Sequence, residues 1–273
     1  MIDRALFIFG LGYSSQAIAR AAIAQGFHVS GTCRTQEKCD RLKEQGIDAI
    51  LFSEVSKNNL EDANYILSSI PPQEGAGDVA VPFIQYENKW LGYFSTTGVY
   101  GDYEGQWVDE ESDPRPNNDR LKRRLEAEAQ WRERGGHVFR LAGIYGKGRS
   151  AIDDVLAGTA RRIDKPGQVF SRIHVYDIAQ IVLASMNRPN PKAIYNACDN
   201  EPAAAHEVVQ FACKLLGREA PPLIPFDRAE LSPMGKEFYS ANRRVKNERI
   251  KQELGVKLQY PTYREGLQAL LPM

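Results

Sequence analysis

Residues Ala5–Ser15 read ALFIFGLGYSS, and the order of those residue types decides the fold. Five apolar residues, Ala5 to Phe9, predict a short buried strand, and Gly10 and Gly12 follow it at once. From Ser14 the apolar positions take helical spacing, with Ala17, Ile18, Ala21 and Ala22 on one face and Gly26 as a stop. A strand, a glycine turn and a helix in that order form the phosphate-binding corner of a dinucleotide fold. Gly10 permits the tight turn, and Gly12 lets the backbone approach a pyrophosphate seated on the helix N-terminus. Tyr13, Ser14 and Ser15 open that helix and complete the expected binding set. Ser15 stands where Gly or Ala is usual, which predicts slightly wider packing of helix on strand. A lone G-x-G-x-x-S also fits a glycine turn with no ligand; the second strand, at the right distance, favours dinucleotide binding.

That second strand is Phe27 to Cys33, followed by a polar helix that starts at Thr35 and ends at Gly46. An acidic residue at its end would bond the adenosine ribose and favour NAD. This chain offers Thr32, Cys33 and Arg34 instead. A guanidinium there suits a 2′-phosphate through charge-assisted, bidentate bonds, so NADP is expected in preference to NAD. A plain surface arginine is the competing reading of Arg34.

Further strands are predicted at Asp48 to Phe52, Tyr65 to Ile70 and Trp90 to Tyr100, with a helical stretch around Val81 to Lys89. Ser68 and Ser69 lie at a strand end beside the expected ligand crevice. A helix over 119–134 precedes a sixth strand, His137 to Ala142. Then come a helix near Ala151 to Arg162, an extended stretch from Val169 to Val175, and a helix through Met186 with Asp177 as its expected cap. A seventh strand spans Ala193 to Cys198, and a helix spans Glu207 to Leu216. Residues 218–239 are Pro-rich and irregular, before two closing helices at Asn242 to Leu254 and Tyr263 to Leu271. The alternation predicts an α/β, Rossmann-type, doubly wound and mostly parallel sheet with a small C-terminal substrate-binding part. Residues 1–148 are read as the dinucleotide-binding core, which strand 193–198 rejoins, and residues 149–273 mainly as the substrate-binding part.

Bulk composition excludes several classes. Thirty-five basic residues balance thirty-five acidic ones, so no global field draws the chain to nucleic acid or an anionic membrane. The four cysteines (Cys33, Cys39, Cys198, Cys213) show no C-x-x-C pair and no evident disulfide framework, which suggests a reducing compartment. The four histidines are scattered, so no metal site is expected. No stretch approaches eighteen uninterrupted apolar residues, and the N-terminal apolar run is too short and glycine-broken for a signal peptide. A cytoplasmic location is the expectation.

Four stretches, in order, resemble the extended short-chain dehydrogenase/reductase superfamily, the NAD-dependent epimerase/dehydratase group. They are the corner Gly10–Ser15, then Ser95-Thr96-Thr97-Gly98-Val99-Tyr100-Gly101, Arg140 to Gly146, and Ile173-His174-Val175-Tyr176-Asp177. The nearest resemblance is to an atypical branch described as nucleoside-diphosphate-sugar epimerases. It implies a small-molecule substrate, a sugar nucleotide among the candidates, and is compatible with a homodimer. It also implies that Thr96 touches the cofactor and bonds the reacting oxygen, although capping a strand end would equally explain a threonine there.

The resemblance then breaks. The family's proton-carrying Tyr-x-x-x-Lys aligns with Arg120 and Arg124, and no tyrosine occurs from residue 104 to 144. Arginine holds its proton to a pKa above about 12 and is no general acid or base near neutrality. Arg120 could orient an anionic substrate and Arg124 hold a ribose; an exposed basic helix face explains both as well. Tyr145, at the end of the sixth strand, has the best position among the remaining proton carriers, and His174 looks structural. Arg149 and Arg172 are candidates to meet phosphates.

Overall fold

The computed structural model describes residues 4–75, 77–84 and 88–271. Its centre is a seven-stranded sheet in the order β11-β7-β5-β4-β1-β2-β3, every neighbouring pair parallel. The first half supplies β1 (Ala5–Phe9), α1 (Tyr13–Ile23), β2 (His28–Cys33), α2 (Gln36–Lys43), β3 (Asp48–Leu51), β4 (Tyr65–Ser68) and β5 (Trp90–Thr96). Then come β6 (Trp107–Val108), α3 (Asp119–Glu133), β7 (His137–Leu141) and β8 (Gly143–Tyr145). The second half adds α4 (Ala151–Leu156), β9 (Arg162–Asp164), β10 (Arg172–His174), α5 (Val175–Asn187), β11 (Ile194–Ala197) and α6 (Ala205–Leu215). It closes with β12 (Leu223–Pro225), α7 (Pro233–Phe238), β13 (Arg244–Val245), α8 (Glu248–Gln252) and α9 (Tyr263–Gln268).

Strand β1 shows why a continuous apolar run belongs at the centre. Successive side chains leave opposite faces of a strand. Leu6 and Ile8 enter one core with Ile18 of α1 and Ile178 of α5, while Phe7 and Phe9 enter a second with Trp131 of α3. All of these are at most 1% exposed, and each large apolar side chain so buried contributes on the order of 1.5–3 kcal/mol. A third apolar cluster joins α4, α6 and α9 around Tyr145 and Tyr263 and forms the core of the C-terminal part. Short parallel pairs, β10 with β8 and β13 with β6, tie that part to the first half of the chain, and β12 with β9 forms a pair within it.

Several expected elements are revised. The stretch from Val81 contains a single 3-10 turn, Val81–Phe83, where Pro82 stands at the start; residues 85–87 lie outside those described. The helix at Ala151 stops at Leu156, because Gly158 turns the chain at φ +70° and Arg162 already begins β9. The irregular segment 218–239 holds β12 and α7, and the segment from Asn242 starts as β13, so its helix is only α8. Asp177 does not cap α5. His174 is the cap, its Nδ1 accepting from the Tyr176 amide at 3.2 Å, and Asp177 instead accepts the amides of Gln259 and Tyr260 at 2.7 and 3.1 Å.

The reading of the cysteines is also corrected. Cys33 ends β2, Cys39 lies in α2, and the two are joined in a disulfide across six residues. The strand-to-helix reversal brings their Cα atoms to 6.1 Å, a proximity that spacing alone does not reveal. The inference of a reducing compartment from cysteine spacing therefore loses its basis. Among the described residues no helix is long and apolar enough to cross a membrane.

Candidate functional site

The sheet reverses its winding between β1 and β4: from β1 the chain adds β2 and β3 on one side, then returns to β4 and β5 on the other. In open α/β sheets this is where a crevice opens at the strand C-termini. The glycine corner sits there. Gly10 adopts φ +84°, and a Cβ on it would approach Ile70 Cγ1 at 2.8 Å, so two constraints demand glycine. Thr32 pins the turn twice, its hydroxyl accepting from the Gly10 amide at 2.9 Å and its carbonyl from the Leu11 amide at 2.8 Å. From the β4 side, the Ser69 hydroxyl donates to the Gly10 carbonyl at 2.5 Å.

Helix α1 begins at Gly12 with no side chain capping it and no acidic residue in its first turn. Its N-terminal partial positive charge is therefore left for an anion. A Cβ at Gly12 would meet only the Gly10 carbonyl, at 4.0 Å, so the space above the residue is open. The Tyr13 hydroxyl donates to the Lys147 carbonyl at 3.1 Å, and the Arg149 guanidinium lies 5.8 Å from the Tyr13 ring centre. Ser14 and Ser15 are buried, Ser15 with its hydroxyl unpartnered. Ser68 is fully buried at the end of β4 with its hydroxyl unpartnered.

Arg34 is exposed on the turn between β2 and α2, beside Thr35, which caps α2. Burial, then the nearby Arg41 and Arg34 charges, lower the Lys38 ammonium below its ordinary value, so three cations gather at this turn. The Cys33–Cys39 disulfide spans this turn.

Beyond the end of β5 opens a cavity of about 830 Å³, bordered by Thr96, Asn117, Arg120, Arg149, Glu237 and Arg243 among others. Thr96 is half-buried, and its hydroxyl oxygen accepts from the Gly98 amide at 3.1 Å, which leaves its own proton to donate. It thus both caps the turn Thr97–Tyr100 and faces the cavity. Arg120 reaches the cavity and pairs with Glu237 of α7 at 2.7 Å.

Three other candidates lie elsewhere. Arg124 donates to the Phe94 carbonyl at 2.6 Å and the Tyr93 hydroxyl at 3.0 Å, both from Nη1, which makes it a staple between α3 and β5. Tyr145 is buried in the C-terminal core with its hydroxyl 3.4 Å from the Thr262 carbonyl, away from the cavity. Arg172 donates to the carbonyls of Phe170 and Ala203 and does not border the cavity either. His174 is held neutral, burial lowering it to about 4.

Beneath Thr96 lies a buried ion pair. Arg140 of β7 meets both carboxylate oxygens of Glu128 of α3, with the nearer contact at 2.8 Å, and the Ser95 hydroxyl donates to the same carboxylate. Burial pulls Arg140 downward, but Glu128 outweighs it and holds the guanidinium above its usual value. Sequence reading passed over Glu237, Asn117 and Arg243. Their shared position depends on β13 pairing with β6 and on α7 folding back over α3, contacts that no local pattern announces.

Strand order, glycine corner and the Ser-Thr-Thr end of β5 define the fold of the extended short-chain dehydrogenases/reductases, the epimerase/dehydratase group. No family model matches the chain. Among individual proteins, it is similar to Protein YeeZ of Escherichia coli K12, 26% identical over 93% of this chain and 95% of that protein. It is 44% identical to a functionally unknown conserved protein from Silicibacter pomeroyi, with a TM-score of 0.90 and 98% of each chain covered. The human epimerase family protein SDR39U1, solved with NADPH, shares the fold at 16% identity and a TM-score of 0.75, covering 97% of this chain and 98% of that one. Other solved chains of this fold, at 14–17% identity, hold NAD.

Proposed function

We propose that this chain binds a nicotinamide dinucleotide, NADP in preference to NAD, and uses it to oxidise, reduce or epimerise a small molecule in the adjoining cavity. The observation that carries this reading is the uncapped start of α1 at Gly12, at the point where the sheet reverses its winding. Arg34, with Lys38 and Arg41 beside it, supports the choice of NADP, because a 2′-phosphate would meet three cations and no ribose-bonding carboxylate. Residues 1–148 would serve the dinucleotide and 149–273 mainly the substrate, a sugar nucleotide being one candidate.

The bound nicotinamide would supply the hydride chemistry. The chain's own part is to seat the diphosphate on the amides of Tyr13, Ser14 and Ser15 and to polarise the reacting oxygen with the Thr96 hydroxyl. No tyrosine stands where the family keeps its proton carrier, so the proton would pass through another group bordering the cavity or through water. Calorimetric titration tests the reading: NADPH is expected to bind, and more tightly than NADH, with Arg34→Ala narrowing that gap about tenfold. No uptake of either nucleotide at millimolar concentration removes the proposal.

A second reading is favoured by one observation, the capture of Arg124 by the Phe94 carbonyl and of Arg120 by Glu237. With Arg124 held to the sheet and no proton carrier at either arginine's position, the chain would be a non-catalytic NADP(H) sensor or scaffold. Tight nucleotide binding without turnover across a carbonyl and sugar-nucleotide panel selects this reading, provided a partner distinguishes NADP⁺ from NADPH.

A further inference from the structure

Three arginines and one carboxylate border the cavity, and the carboxylate, Glu237, is already paired with Arg120. Arg243 differs from the others. It comes from the segment just before β13, which reaches across to the turn that follows β5. Its Nη1 donates to the Gly101 carbonyl at 2.7 Å, and among the described residues it forms no ion pair. A guanidinium carries five N–H donors in a fixed fork, so most of its hydrogen-bonding capacity is unspent. The nearest acid, Asp102, is committed to the backbone amides of Asn242 and Glu104, at 2.8 and 3.1 Å. Burying a charge costs free energy unless a counter-charge arrives. Burial lowers Arg243 to about 10, with Asp102 pulling the other way, so the group stays cationic near neutrality.

We propose that Arg243 is a substrate-binding residue, and that the substrate carries a carboxylate or phosphate which this guanidinium grips beside Thr96. The assignment rests on the cavity's being the substrate site, and it deepens that reading by naming the substrate class. Arg243 bonds Gly101, at the end of the turn that Thr96 starts, and both side chains border the cavity, so the anion it holds lies at the reacting end of the crevice. The diphosphate of the dinucleotide would sit at the α1 N-terminus, on the Arg149 side, whereas Arg243 comes from the segment before β13. Neutral sugars and simple aldehydes lack a charge to match the guanidinium's open donors.

Inorganic phosphate, pyrophosphate and malonate are titrated in turn by calorimetry into the protein loaded with NADPH and into the Gly12→Val variant, whose corner is closed to anions. The native cavity is expected to bind at least one of the three at low millimolar concentration. Arg243→Gln should weaken that binding tenfold or more and Arg243→Lys by less, with NADPH affinity kept within twofold. A phosphate preference assigns a phosphorylated substrate and a malonate preference a carboxylic acid. If Arg243→Gln fails to fold, the graded loss in Arg243→Lys carries the same test. Anion binding that is equal in native and variant proteins, or absent from both, overturns the proposal. Failure of NADPH to bind removes the dinucleotide reading instead, because the anion contrast in the Gly12→Val background does not depend on it.

Discussion

The glycine corner and the far wall of the cavity are built in opposite ways. The corner is backbone: a left-handed glycine, an uncapped helix and a turn held by Thr32 and Ser69, most of it within thirty residues of sequence. The far wall is side chain. Arg120, Asn118 and Glu237 join α3 to α7 through hydrogen bonds between residues more than a hundred positions apart. Backbone geometry suits a group common to many chains of one fold, whereas a wall of side chains can change with the substrate while the corner stays fixed. A corner of this kind can be recognised in any member; the wall has to be read anew in each.

The largest effect is expected where the two regions share a support. The Arg140–Glu128 pair lies under the end of β5, and Glu128→Ala leaves a buried guanidinium and the Ser95 hydroxyl without their acceptor. A loss of about 3–5 kcal/mol in urea denaturation is expected. A loss below about 1 kcal/mol, the scale of an exposed pair, would mean that the pillar bears no weight.

Gly12→Val separates the regions. The variant should keep its melting temperature, because the space above Gly12 is open and its φ of −80° suits any residue, yet lose at least 100-fold in NADPH affinity, about 2.7 kcal/mol. Retained affinity would show that the corner is not the seat of the diphosphate.

Asp199, next to the end of β11, exposes a difference in pH response. Burial raises it to about 8, above its value in an unfolded chain, so its contribution to stability is full below about pH 4 and is lost as the pH rises through 8. Between pH 6 and 8 the native protein should lose about 2 kcal/mol that Asp199→Asn does not lose, at about 1.4 kcal/mol per pH unit. Equal slopes in the two proteins would remove Asp199 as the source. The smallest effect belongs to the wall itself. The Arg120–Glu237 pair is mostly exposed, so Glu237→Gln should cost under about 1 kcal/mol while altering substrate-side binding and leaving NADPH binding alone.

The same contrast explains what the sequence made legible. Gly10, Gly12 and the apolar run before them announce the corner because a strand, turn and helix are adjacent in the chain, and the seven sheet strands are readable for the same reason. Tyr145 misled because a strand end was taken to face the crevice, whereas the packing of α9 draws its ring into the C-terminal core. The Cys33–Cys39 bond and the position of Arg243 arise from folding geometry and from a strand pair between residues 107–108 and 244–245, neither of which has a local signature.

The position of β11 has a consequence for how a cell makes this protein. Until residue 197 has left the ribosome, β7 is the outermost strand, and its sequence His-Val-Phe-Arg-Leu is apolar enough to recruit a strand from another nascent chain. Synthesis therefore passes through an interval in which β7, an inner strand of the finished sheet, serves as an edge, the interval in which chaperone protection and translation speed matter most.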